Sequence, residues 1–377
     1  GSFTRAGGGL ANRVALWDGS TWTAMGTGVS SDVLSLAVMT NGDIVAGSEF
    51  SATGTAMNYI SRWDGSAWVA LGTGVTSTVH EILVLPNGEL IVGGGSFRFP
   101  SGDDYSTSCV ARWDGSDWSG LDFEADGAVR SLTPLQNGDL VAGGSFLTVN
   151  GDYVRGVAQR KGSDWSDLGS GLDSSINALA LLPNGDLVAG GYFTKAGMAR
   201  VNHIARWDGS DWTALGSGIN GAVHAILALP NGDIIAGGSF TEAGGINADN
   251  IAYWDGQSWS SLGTGLNGTV FALTMLPNGD LVAGGSFSSA GGLSTHRIAR
   301  WNGSVWSALG TGMGGSSGSV YALTTLLNGD LVAGGSFTAA GGLPARYIAR
   351  WNGSAWFTMG SGMTPFRAVF ALTSLPN

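Results

Sequence analysis

The chain of 377 residues has a single cysteine, Cys109. One cysteine cannot close an internal disulfide, so a disulfide framework is excluded and cysteine usage does not report on redox compartment. Lysine is almost as scarce. Lys161 and Lys195 stand beside 15 arginines, and no basic run occurs. With a net charge of −11 and a pI near 4.6, the chain lacks the basic footprint that nucleic acid or an anionic membrane surface requires. No apolar run approaches the ~18 residues of a membrane-spanning helix, so direct membrane insertion is not expected. Charged residues make up only 12% of the chain, yet 43% is hydrophobic, which excludes wholesale disorder.

Glycine and tryptophan are abundant instead: 65 glycines and 15 tryptophans. Glycine does not recur at every third position, so collagen is excluded. Tryptophan does recur. The motif Trp-[Asp/Asn]-Gly-Ser-x-Trp starts at Trp17, Trp63, Trp113, Trp207, Trp254, Trp301 and Trp351, and a degraded copy, Arg160 to Trp165, fills the remaining gap. Successive copies are 46, 50, 47, 47, 47, 47 and 50 residues apart, which makes eight units of about 47 residues.

One copy shows the content of a unit. Val270 to Leu276 is a first strand-like run, ended by Pro277-Asn278-Gly279-Asp280; Leu281 to Gly284 is a second. Arg297 to Trp301 is a third, and after Asn302-Gly303 comes a fourth, Val305 to Leu309. Asn-Gly and Asp-Gly between apolar runs are strong hairpin signals, read as type I′ turns with positive φ at both central residues. No helical periodicity competes. Four antiparallel strands per unit, repeated eight times, predict an all-β fold: an eight-bladed β-propeller of four-stranded blades.

The string Asn-Gly-Asp-Leu-Val-Ala-Gly-Gly (residues 278–285), followed by a loop, an aromatic residue and Trp, resembles the kelch repeat. The wider wording, as in Gly-Gly-Ser-Phe-Thr (237–241) and Ile-Ala-Arg-Trp (298–301), resembles the kelch-like repeats of secreted and cell-surface proteins of the Rax2 type. The resemblance covers the whole chain. It implies a propeller at the cell exterior, and kelch-like propellers serve as scaffolds, adhesins, lectin-like binders and occasional oxidases, so it constrains function little.

The units do not add up evenly. First, third and fourth strands each occur eight times, but the second occurs only seven times. The expected layout places the third and fourth strands of a closing blade in 1–28, seven full blades in 29–362, and the closing blade's first strand in 363–377. Its second strand is missing. A gap inside a sheet exposes two rows of unpaired backbone groups. The expectation is that the natural chain continues beyond Asn377, with donation of a strand by another chain as the alternative.

The tight Asn-Gly and Asp-Gly turns gather on one end of such a propeller and the variable loops on the other, which is the candidate functional face. There the second residue of each first strand reads Leu34, His80, Arg130, Asn177, His224, Phe271, Tyr321 and Phe370. This ring at the mouth of the central channel suits a small polar ligand or a glycan; alternatively it plugs the channel or packs between blades. A second candidate is acidic. Asp103, Asp104, Asp122, Glu124 and Asp126 belong to one blade and could hold Ca²⁺, the alternative being a solvated acidic loop. No other cofactor is expected.

Most other acids are turn chemistry. Asp43, Glu89, Asp139, Asp186, Asp233, Asp280 and Asp330 follow Asn-Gly, while Asp18, Asp64, Asp114, Asp208 and Asp255 sit in the Trp-Asp-Gly turns. Arg62, Arg112, Arg206, Arg300 and Arg350 are expected to reach those carboxylates, with Leu16, Gln159 and Tyr253 in their place elsewhere. The four histidines are scattered, and Cys109 has no local histidine, so neither a serine triad nor copper-radical chemistry is indicated. Asn267-Gly-Thr, Asn302-Gly-Ser and Asn352-Gly-Ser match the N-glycosylation pattern. The expected function is non-enzymatic: an extracellular or cell-surface binding or scaffold module for a protein partner, with a glycan-binding lectin and an enzyme of another type as alternatives.

Overall fold

The structure, a computed structural model, describes residues 1–49, 59–101, 104–315, 318–364 and 368–375. Among these are seven four-stranded antiparallel sheets, each in the strand order first–second–third–fourth. In one of them Val270–Met275 pairs with Leu281–Gly285, then Ile298–Trp301, then Trp306–Ala308. First strands of successive sheets pack on one another, which places them around the axis of a β-propeller. The remaining Trp-containing copy, Ala15–Trp17 with Trp22–Ala24, is a two-stranded pair.

Second strands are the most buried elements. Leu281–Gly285 and its counterparts are fully buried because both neighbours in the sheet and the adjoining sheets cover them. Their glycine is a packing requirement. A Cβ on Gly237 would lie 2.6 Å from Val270 Cγ1 of the next sheet, and one on Gly284 would lie 2.6 Å from Val320 Cγ1. Between sheets, the fourth-strand tryptophans act as ties. Trp212, Trp259, Trp306 and Trp356 donate from Nε1 to the carbonyls of Leu168, Leu215, Leu262 and Leu309 of the preceding sheet at 2.6–2.8 Å.

The turns differ from the type I′ expectation. Gly279 has φ +86° and Gly303 φ +93°, but Asn278 and Asn302 are not in the left-handed region. Gly279 N–H donates to Leu276 O at 2.9 Å and Leu276 N–H to Asp280 O at 2.8 Å. Pro277 holds φ near −65° at the first central position, so the turn is type I with glycine alone taking the left-handed residue. In the other turn the Asn302 Oδ1 accepts from the amides of Ser304 and Val305, an Asx turn that spares the asparagine a positive φ.

The loop face is also more regular than expected. The second-to-third connections fold into two-residue hairpins such as Glu242–Ala243 with Ile246–Asn247, and Ser289–Ala290 with Leu293–Ser294. Preceding loops bridge to them, as in Ile219 to Ala243 and Leu266 to Ala290. The hairpin of Leu90–Ser101 and Asp104–Trp113 is longer than its counterparts, so Cys109 lies buried within a third strand rather than at its start.

Candidate functional site at the channel mouth

A bulge at the start of each first strand, between Val270 and Ala272 for example, turns the second residue toward the mouth. The structure brings the expected ring into contact from sheet to sheet. The Arg130 guanidinium donates to Asn177 Oδ1 at 3.4 Å, and Asn177 Nδ2 lies 3.3 Å from His224 Nδ1. His224 packs at a tilt against Phe271 (5.9 Å between centroids), Phe271 against Tyr321 (5.6 Å) and Tyr321 against Phe370 (5.8 Å). A cavity of ≈ 540 Å³ opens among Leu34, His80, Tyr321, Phe370 and two carboxylates, Asp32 and Glu49. One arc of the mouth is therefore aromatic and the facing arc polar.

Electrostatics keep the imidazoles neutral at pH 7. Burial lowers the pKa of His224; burial and the neighbouring Arg130 charge lower that of His80, partly opposed by Glu49. Asn177 Nδ2 also donates to Val223 O at 3.0 Å, and Arg130 takes its oxygen, so the amide presents a donor to Nδ1. His224 Nε2 lies 3.2 Å from Ser239 Oγ, which in turn contacts Thr269 Oγ1 at 2.9 Å.

Ser239, Thr269, Asp32, Glu49 and Tyr192 are mouth residues that the sequence reading passed over. A signal existed. The residue before each unit's Phe is Ser in six units, at Ser2, Ser96, Ser145, Ser239, Ser286 and Ser336, whereas Glu49 and Tyr192 depart from it. Glu49 lines the cavity, and Tyr192 meets His224 edge-on, 5.9 Å between centroids. Comparing units at that position would have marked both.

The acidic candidate is drawn into loop hydrogen bonds. Asp126 Oδ1 accepts from the amides of Leu147 and Thr148, which holds its pKa below the usual carboxylate range. Asp173, Asn220 and Asn267 do the same in the following units. Glu124 accepts from Thr107 Oγ1 at 3.0 Å, and the Asp122 carbonyl from Asn150 Nδ2 at 2.7 Å. Asp104 stands opposite Ser101 at the hairpin end, and Asp103 lies outside the described residues. Among the described residues no group of three or more His, Cys, Asp or Glu gathers to hold a metal.

The turn acids behave as turn residues. Asp64, Asp114 and Asp208 each accept two backbone amides through Oδ1, which lowers their pKa to about 2. The strand arginines reach their acids: Arg62 to Asp43 at 3.1 Å, Arg350 to Asp330 at 3.0 Å, and Arg206 to Asp186 and Arg112 to Glu89 in shorter pairs. Where arginine is absent, Gln159 donates to Asp139 and the Tyr253 hydroxyl to Asp233.

The sequence profile of the family described as the Rax2 C-terminal beta propeller domain matches residues 212–369. No curated protein matches the chain. Among solved structures, a fungal alcohol oxidase of the AA5 family in complex with copper superposes with a TM-score of 0.50 at 13% identity, over 89% of this chain and 77% of the other. The WD40 beta-propeller domain of Doa1 (TM-score 0.46, 16% identity, 90% and 96% covered) and YCF48 bound to D1 peptide (0.48, 13%, 90% and 96%) are also similar. The chain is a β-propeller, a fold that supports binding and scaffold roles in general. The likeness to the oxidase is one of fold alone. Cys109 is buried, burial raises its thiol pKa, and its Sγ faces the Ala125 carbonyl.

Proposed function

We propose that the chain is an eight-bladed, kelch-like propeller of the cell exterior that acts as a non-enzymatic binding module, with its ligand seated at the channel mouth. The observation that carries this reading is the mouth itself, where Arg130, Asn177, His224, Phe271, Tyr321 and Phe370 touch in succession beside a cavity. Eight units are supported by the two-stranded pair, whose Trp22 donates to Met359 O at 2.7 Å as the other ties do. The amides of Ser2, Thr4 and Gly7 also bond to Ala368, Thr364 and Gly362. The exterior reading rests on the low lysine count and on the repeat wording.

The same face suits a protein partner. The loop hairpins carry exposed apolar side chains, among them Leu10, Met198, Ile246, Leu293 and Leu343. A second reading, a glycan-sized ligand, is favoured by the aromatic arc facing the carboxylates: sugar C–H faces stack on rings while hydroxyls bond to acids. Glycan-array screening and thermal shift test the seat. A ligand should raise the melting temperature of the parent protein, and Phe271→Ala and Tyr321→Ala should remove that rise. If both variants bind as the parent does, the seat is elsewhere.

A further inference from the structure

The cavity of ≈ 540 Å³ at the mouth has walls of two kinds. On one side are the rings of Tyr321 and Phe370, 5.8 Å apart between centroids and inclined at 38°. On the other are His80 and two carboxylates, Asp32 and Glu49. Among the described residues neither Lys nor Arg lines it. Asp32 already has a counter-charge, since Arg13 Nε lies 3.5 Å from its Oδ1. Arg130 turns to Asn177 Oδ1 at 3.4 Å and is not part of the wall.

Glu49 carries a charge that the fold does not use. Among the described residues its carboxylate has no hydrogen bond and no ion pair. Six other units place serine at this position, and one of those serines, Ser336, lines the same cavity. The Glu49 backbone, by contrast, is held from two sides. Its N–H donates to Asp32 O at 3.0 Å, and Thr78 Oγ1, at the start of the next sheet, donates to its carbonyl at 2.7 Å. The carboxylate is near enough to His80 to oppose the fall of the imidazole pKa. While water covers this carboxylate it needs no partner. A ligand seated in the cavity displaces that water, and a ligand of opposite charge offsets the loss.

We infer that the ligand of the mouth is an organic cation, an ammonium group on a small organic body, seated with its charge between the Glu49 carboxylate and the rings of Tyr321 and Phe370. The inference rests on the mouth being the ligand seat and adds the chemical class. Aromatic faces attract cations through the ring quadrupole, and more strongly where water is excluded. The volume lies in the range of about 300–1,000 Å³ typical of small-molecule sites. A bare metal ion fits poorly. Ca²⁺ takes six to eight oxygen ligands, whereas one wall here consists of rings, and among the described residues no three His, Cys, Asp or Glu gather. An anion would face two carboxylates and no cationic wall residue.

The test is calorimetric titration of the 377-residue protein with two matched pairs: choline against its uncharged carbon isostere, dimethylbutanol, and glucosamine against glucose. A charged member should bind saturably at one per chain, and about tenfold or more tighter than its neutral partner, as expected for a cation–ring contact joined to a charge pair. Its affinity should weaken as NaCl is raised. Glu49 is exposed, so the fold should tolerate Glu49→Gln. That variant should lower the affinity for the cation about tenfold and leave the binding of any neutral sugar unchanged. Tyr321→Leu should weaken the cation by a comparable factor. If a neutral member binds as tightly as its charged partner and Glu49→Gln changes nothing, the cation inference falls while the mouth remains the seat. If no member of either pair binds, the inference is overturned, and the glycan array decides the mouth by itself.

Discussion

Residues 176–364 repeat their devices almost without change, whereas residues 1–167 depart from them one at a time. In the later half the residue after each ring position is Ala178, Ala225, Ala272 or Ala322; in the earlier half it is Ser35, Glu81 or Ser131. Fourth-strand tryptophans tie to the preceding sheet throughout the later half, while Trp68 does not. Leu16 stands where arginine or its substitutes reach a turn acid in the other units. A repeat that satisfies each group locally can lose one device without losing the fold, since neighbouring sheets supply the rest. Departures such as Glu49 and His80 gather at the polar arc of the mouth.

The largest expected effect breaks the tryptophan comparison. Trp259→Ala should cost about 3–5 kcal/mol, the range for deleting a buried aromatic, because both ring packing and the bond to Leu215 O are lost. Trp68→Ala should cost ~1 kcal/mol less, the net worth of one hydrogen bond, since its Nε1 makes none. Denaturant unfolding of both variants measures the difference. Equal losses would mean that the seam before Trp68 is no weaker than the others.

Next comes Glu81, whose burial raises its carboxyl pKa from 4.5 to about 7. The folded state then holds a proton that the unfolded state gives up between those values. Stability is fully present below pH 4.5, falls as the pH rises toward 7, and levels off above it. At ~1.4 kcal/mol per unit of pKa difference, the loss is at most ~3 kcal/mol. Glu81→Gln should therefore stabilise the protein by up to that amount at pH 8 and leave it almost unchanged at pH 4. Melting curves at the two pH values check this. A gain of the same size at both would show that packing, not ionisation, is responsible.

The sequence made most of the fold legible because the information is local and repeated: turn glycines, alternating strands, and tryptophans at two fixed positions. Ring residues such as His224 and Phe271 were legible for the same reason, since they share one register position. Contacts that join residues from different strand positions were not. The His224 contact with Ser239 and its edge-on contact with Tyr192 arise only when a first strand and the end of a second strand meet around a bulge, and no spacing in the sequence encodes that. The turn type was misread because Asn-Gly suggests two left-handed residues, while Pro277 in this context permits one. Asp126 looked like a metal ligand in isolation. Aligned with Asp173, Asn220 and Asn267, it is the loop's amide acceptor, a role asparagine fills equally well.

The smallest effect concerns the arginine–acid pairs. Arg206 binds Asp186, yet its side chain is 37% exposed, so solvent screening leaves the pair at about 0–1 kcal/mol. The earlier half already contains a substitute: Gln159 donates its amide to Asp139 in the same place. Arg206→Gln should therefore change stability by less than ~1 kcal/mol and should mainly remove salt dependence, because an amide–carboxylate bond carries no charge pair to screen. Melting temperature against NaCl concentration for parent and variant reads this directly. A shallower salt slope with an unchanged low-salt midpoint is the expected result. A large loss at every salt concentration would mean that the guanidinium acts through its packing along the neighbouring strand, and that Gln159 is tolerated only because its own sheet is built around it.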